Sequence, residues 1–199
     1  EGNCQVPNGW EWDATDGEYT VTGPEGNEYH TSLPELRIIP CADLSDEERE
    51  LFCVDGDYCL KVFGGEKAIH VWLFQEVSGL KPGALYELTV PTFVDTYIWD
   101  DGKVAPNLHP DEPEKRAARL RLMASDGDPV YSVWLDEVSV ADFHLNKHVF
   151  SWGFEATAET MTVGFEMWNP WPISNCGWFF DGLSLEMVQE PPGQECRGK

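Results

Sequence analysis

Near the C-terminus the sequence reads Cys176-Gly-Trp-Phe-Phe-Asp-Gly-Leu-Ser-Leu-Glu-Met-Val188, which sets one carboxylate, Asp181, inside an apolar run. Taken as a strand whose side chains alternate between two faces, Phe179, Asp181, Leu183, Leu185 and Met187 share the more apolar side. A carboxylate there is costly unless it is paired, hydrogen-bonded or bound to a cation. Four arrangements are open to it: a bound cation, a salt bridge, backbone donors, or water at the strand's end.

A second set of residues combines aromatic rings with planar polar groups. Such a set can stack on the apolar side of a pyranose and bond its hydroxyls. In Thr160 to Trp168, inward Val163, Phe165 and Met167 leave Thr162, Glu166 and Trp168 outward. In Ala118 to Ala124, inward Leu120 and Leu122 leave Arg119, Arg121 and Met123 outward. After Pro82-Gly83, inward Tyr86, Leu88, Val90, Thr92 and Val94 leave Phe93 and Tyr97 outward. Aligned faces would gather Phe93, Tyr97, Arg121, Glu166 and Trp168 on one concave sheet, with Trp12, Trp72, Gln75 and Trp134 as secondary candidates. The same parity suits an exposed Arg121–Glu166 pair of little energy, with Trp168 capping the sandwich edge.

The elements that must carry these residues are strands. Tyr58 to Phe63, Ala68 to Val77, Ala84 to Trp99, Ala118 to Ala124, Pro129 to Leu135, His148 to Ala156, Thr160 to Trp168 and Gly177 to Val188 are rich in β-branched and aromatic residues. Turn signals such as Gly64-Gly65 and Ser125-Asp-Gly-Asp-Pro129 separate them. The pattern predicts an all-β, two-sheet sandwich spanning residues 1–190, with a tail over 191–199. Residues 14–34 and Asp100 to Lys115 read as loops. A short helical excursion is expected near 45–52, where Ser45-Asp-Glu-Glu48 has the form of a capping box.

With 13 basic and 36 acidic residues, the formal charge is 13 − 36 = −23. That field repels phosphate backbones and anionic lipid, so nucleic acid and membrane surfaces are not expected partners. No run approaches a membrane-spanning length, and no signal-peptide series precedes Glu1, so the chain reads as a mature form or a fragment. Six cysteines without zinc-ligand spacing predict at least two disulfides and an extracellular, secreted setting. Cys41–Cys53, Cys53–Cys59 and Cys4–Cys196 are all open as pairs. Catalysis is not expected, and a small jelly-roll polysaccharide lyase or hydrolase is the lesser alternative. Gly-x-Ser-x-Gly, His-Glu-x-x-His and phosphate-loop motifs are missing, and the five histidines are scattered. Chance pairs such as Glu155 and Glu166 follow from the acidic composition.

In chain order, Val6-Pro-Asn-Gly-Trp10, Asp55-Gly-Asp-Tyr-Cys-Leu-Lys61, Phe74-Gln-Glu-Val-Ser-Gly-Leu-Lys-Pro-Gly-Ala-Leu-Tyr86 and Phe179-Phe-Asp-Gly-Leu-Ser-Leu185 form a series. It resembles the galactose-binding-like jelly-roll carbohydrate-binding modules of secreted bacterial proteins. The resemblance implies a jelly roll that binds a polysaccharide or glycan without catalysis. It also implies a structural calcium between first and last strands, with Asp181, Glu1 and Asp57 as ligands. Gly182 stands where the family carries a second closing Asp, and Glu1-Gly2 is all that remains of its first strand. The rival reading is a structural or adhesive subunit, in which an open strand groove would allow self-association.

Overall fold

The structure, a computed structural model, describes residues 4–18, 20–22, 28–65, 67–95, 97–98, 103–104, 118–135, 147–170 and 176–192. The strands run β1 (Trp10–Ala14), β2 (Thr20–Thr22), β3 (Glu28–His30), β4 (Glu35–Pro40), β5 (Tyr58–Gly65), β6 (Ile69–Ser78) and β7 (Leu85–Asp95). They continue with β8 (Tyr97–Ile98), β9 (Lys103–Val104), β10 (Arg119–Ser125), β11 (Pro129–Tyr131), β12 (Lys147–Glu155), β13 (Thr160–Asn169), β14 (Cys176–Phe180) and β15 (Ser184–Gln189). One antiparallel sheet has the order β1-β6-β13-β10-β11. The other has the order β12-β7-β14-β5-β4, with β15 also on β7. The two layers make the expected jelly-roll β-sandwich. Small hairpins, β2-β3 and β8-β9, stand apart.

The core follows from alternation. Val71 and Leu73, Leu120 and Leu122, and Val163, Phe165 and Met167 enter it from the first sheet. Leu60, Val62, Leu88, Val90, Trp178 and Phe180 meet them from the second. Trp178 lies fully buried with its indole N–H donating to Asn169 Oδ1 at 2.5 Å, so its polar edge is satisfied. β1 and β4 were not foreseen as strands, and the stretch expected as a loop over 14–34 contains the β2-β3 hairpin. The loop expected over Asp100 to Lys115 lies outside the described residues apart from Lys103 and Val104.

The helical excursion is present as α1 (Asp46–Phe52), with both halves of the capping box: Glu48 N donates to Ser45 Oγ at 3.2 Å and Ser45 N to Glu48 Oε2 at 3.0 Å. The Cys41–Cys53 disulfide closes this excursion, with Cα atoms 6.4 Å apart. Among the described residues Cys4 and Cys59 are in no disulfide; Cys196 and the Cys176 side chain lie outside them.

The helix also explains why Phe93 does not belong to the expected ligand face. Phe93 lies on β7 in the second sheet, whereas Arg121, Glu166 and Trp168 lie on the first. It does point away from the main core, but α1 covers it. Phe52 stacks on Phe179 with ring centroids 3.8 Å apart and packs on Phe93 at 5.0 Å. These residues form a second small core with Cys41 and Cys59. Tyr97 belongs to the separate β8-β9 pair; its side chain is outside the described residues.

The single C-terminal strand expected over Gly177 to Val188 is broken. β14 ends with Phe180 opposite Thr92, and β15 begins with Ser184 opposite Thr89 on the same β7. Asp181, Gly182 and Leu183 therefore face only Val90 and Pro91, which is a bulge. One extra residue reverses the alternation, so Leu183 and Leu185 pack on the same core as Trp178 and Phe180. Asp181 thus leaves the period-two pattern, and its carboxylate turns to the backbone at Val54 and Asp55. Gly182 adopts φ +69°, and a Cβ there would sit 2.7 Å from Val54 Cγ1, so the family's second Asp has no room.

Candidate functional site

The outward face of the first sheet brings Arg121 opposite Glu166, Glu166 opposite Trp72, and Trp168 between Arg119 and His70. Cross-strand neighbours on one face lie close enough for side chains to meet. Glu166 is 2% exposed. One of its oxygens lies 2.7 Å from His70 Nε2, and the other accepts from Arg121 Nε at 2.6 Å. Burial alone would raise the Glu166 carboxyl, but the hydrogen bonds from His70 and Arg121 outweigh it and hold the group below its ordinary range. An ionised carboxylate only accepts, so Nε2 carries the hydrogen in the His70 contact.

Aromatic rings frame this network. The His70 ring lies 4.2 Å from that of Trp72 and 4.6 Å, edge-on, from that of Trp168. The Arg121 guanidinium sits over Tyr131 at 3.8 Å and Trp134 at 4.5 Å, and Arg119 over Trp134 at 4.2 Å. Trp72, Trp168, Trp134 and Tyr131 are each half-buried and keep part of their rings at the surface. A buried carboxylate thus fixes one cation and one imidazole, and three indoles and a phenol surround them.

Arg121, Glu166 and Trp168 are therefore together, as expected from their parity. Glu166, however, is 2% exposed, and its two oxygens are taken up by Arg121 and His70. Trp72 and Trp134 join the site from the secondary candidates. Trp12 packs on the core instead, because β1 turns its even-numbered residues inward. His70 and Tyr131 were missed. Only the alternation of β6, which puts His70 and Trp72 outward between Val71 and Leu73, could have pointed to the histidine.

Asp181 takes the third of the arrangements open to it. Its Oδ2 accepts from Val54 N at 2.6 Å and Asp55 N at 2.9 Å, and its Oδ1 accepts from Gly182 N at 2.8 Å. Asp57 is exposed, and Glu1 lies outside the described residues. Among the described residues, the one group of three close metal-type side chains is Cys41, Cys53 and Cys59, two of which form the disulfide. Calcium takes six to eight oxygens, and backbone N–H groups aimed at a carboxylate oppose a cation. The described residues do not fit a calcium ion at Asp181. Asp181→Ala is expected to cost about 1–3 kcal/mol, because it strips charge-assisted acceptors from backbone donors. Thermal melts of both proteins should show the same difference with and without chelator. A loss that vanishes in chelator would restore the cation.

No protein-family model and no curated protein matches the chain. Among solved structures, it resembles a cyclase from Fischerella sp. TAU in complex with 4-(1H-indol-3-yl)butan-2-one, with a TM-score of 0.52 and 16% identity over 94% of this chain and 89% of that one. It also resembles the enzymatically active domain of bacteriophage CBA120 tailspike protein 4, with a TM-score of 0.50 and 8% identity over 91% of this chain and 20% of that one. A third is TmCBM61 in complex with beta-1,4-galactotriose, with a TM-score of 0.49 and 10% identity over 90% of this chain and 89% of that one. Together with the strand order, the likeness at TM-scores of 0.50 and 0.52 makes this chain a two-sheet jelly-roll β-sandwich.

Proposed function

We propose that this chain binds a neutral or weakly charged polysaccharide, without catalysis, through the outward face of the β1-β6-β13-β10-β11 sheet. The observation that carries this reading is the Arg121–Glu166–His70 network flanked by half-buried Trp72, Trp168, Trp134 and Tyr131. Indole faces stack on the apolar side of a sugar ring, and a guanidinium held by Glu166 offers planar donors to hydroxyls. The bound galactotriose of TmCBM61 is in keeping with such a ligand. The Cys41–Cys53 disulfide suits an extracellular setting.

A glycan array on the purified chain identifies the ligand, and titration of that ligand into Trp168→Ala tests the face. Losing a central aromatic anchor costs about 2 kcal/mol, roughly thirtyfold in affinity. Trp168→Phe, which keeps a ring, should retain most of the binding. Equal affinity in the alanine variant would remove Trp168 from the site. Size exclusion separates the rival reading: a glycan-binding monomer supports the module, and a concentration-dependent polymer supports strand exchange between copies.

A further inference from the structure

A cleft opens at one end of the sandwich, away from the aromatic face. Between the layers, at the end where β14 breaks, is a cavity of about 460 Å³. Trp10, Val163 and Phe165 line it from the first sheet, and Leu88 and Phe180 from the second. Its mouth is edged by exposed Asp55, Tyr58 and Ser184. The space opens to solvent at one side, so it is a cleft that a ligand could enter without unpacking the core. Its volume falls within the roughly 300–1,000 Å³ of small-molecule sites.

The bulge shapes the mouth. Asp181 holds the 54–55 turn through Val54 N and Asp55 N, and φ +69° at Gly182 swings Leu183 and Leu185 inward as part of the lining. With its oxygens committed to N–H donors, Asp181 leaves the wall largely apolar. Of the other polar side chains, the Gln75 amide lies along the wall, and the Asp55 carboxylate, the Tyr58 phenol and the Ser184 hydroxyl are at the entrance. We infer that this cavity binds a small molecule with an aromatic or alicyclic body and a neutral or cationic donor group turned to the mouth. Anionic ligands are disfavoured, since Asp55 stands at the entrance and the whole chain carries −23.

N-phenyl-1-naphthylamine, a neutral aromatic fluorophore, is the probe. It should bind saturably with one-to-one stoichiometry and raise the melting temperature, because only the native state holds the cavity. The sulfonated 1-anilinonaphthalene-8-sulfonate should bind at least about tenfold more weakly. Val163→Phe fills the cavity from within, and Ser184→Trp plugs the mouth from an exposed position that folding tolerates. Each should weaken the neutral probe at least about tenfold. Ser184→Trp should leave glycan binding unchanged, which separates this site from the aromatic face. No saturable binding of the neutral probe would overturn the inference, as would binding that survives both substitutions or equal binding of the sulfonate.

Discussion

Replacing Glu166 by alanine is expected to lower the unfolding free energy by about 3–5 kcal/mol, the usual cost of removing one partner from a buried ion pair. Glu166 is the acceptor for both Arg121 Nε and His70 Nε2, so its loss strands two donors at once on a face that also carries Arg119. Glu166→Gln keeps one carbonyl acceptor and should cost less. The pH dependence has a defined sign. The folded-state pKa is depressed from the ordinary 4.5, so the native carboxylate binds a proton less readily than the unfolded one. Its stabilisation is complete above the unfolded value and is lost as pH falls through the folded value. Urea unfolding of wild type and Glu166→Gln should therefore show a gap at pH 7 that narrows steadily below about 4.5. A gap unchanged into strong acid would mean that the carboxylate's charge contributes nothing to the fold.

Breaking the Cys41–Cys53 bridge is expected to cost about 3 kcal/mol, from the closure entropy of a loop with a sequence separation of 12. The consequence should be local first. α1 has seven residues, too few to persist alone, and it covers Phe93 and Phe179 through Phe52. At about 2–4 °C per kcal/mol for a chain of this size, the melting temperature should fall by roughly 6–12 °C in the Cys41→Ser/Cys53→Ser double variant. Hydrogen exchange should show the Asp46–Phe52 amides opening before those of β7 and β14. A shift under about 2 °C would mean that helix packing alone holds the excursion. Cys59 stays in place in this variant. Burial first, and the Asp181 charge second, push its thiol up to about 11, so it supplies little thiolate.

Much of the fold was legible because it follows from alternation. The inward Leu120/Leu122 and Val163/Phe165/Met167 sets placed Arg121, Glu166 and Trp168 on one side of two strands, and the structure pairs those strands in that register. Ser45 and Glu48 marked the helix start because both halves of the capping box are local. Parity says which side a residue takes but not which element covers that side. Phe93 was therefore assigned to an open face that α1 in fact closes. The bulge was hidden for a related reason. Phe179-Phe-Asp-Gly-Leu reads as one apolar strand, and only the pairing of Phe180 with Thr92 and Ser184 with Thr89 exposes the extra residue. Asp181 then changes from a carboxylate on an apolar face to an anchor for a neighbouring turn. Alternation on β6 could turn His70 outward but could not name its partner, Glu166, 96 residues away in sequence.

Calorimetric titration of the array-selected polysaccharide at low salt and at 1 M salt, into wild type and Trp168→Ala, tests glycan binding by the aromatic face most directly. Stacking and hydroxyl contacts should survive as the Debye length shrinks to ~3 Å at 1 M salt, and the alanine variant should be weaker by roughly thirtyfold at both salts. Affinity that collapses in high salt, or that is the same in both proteins, would contradict it.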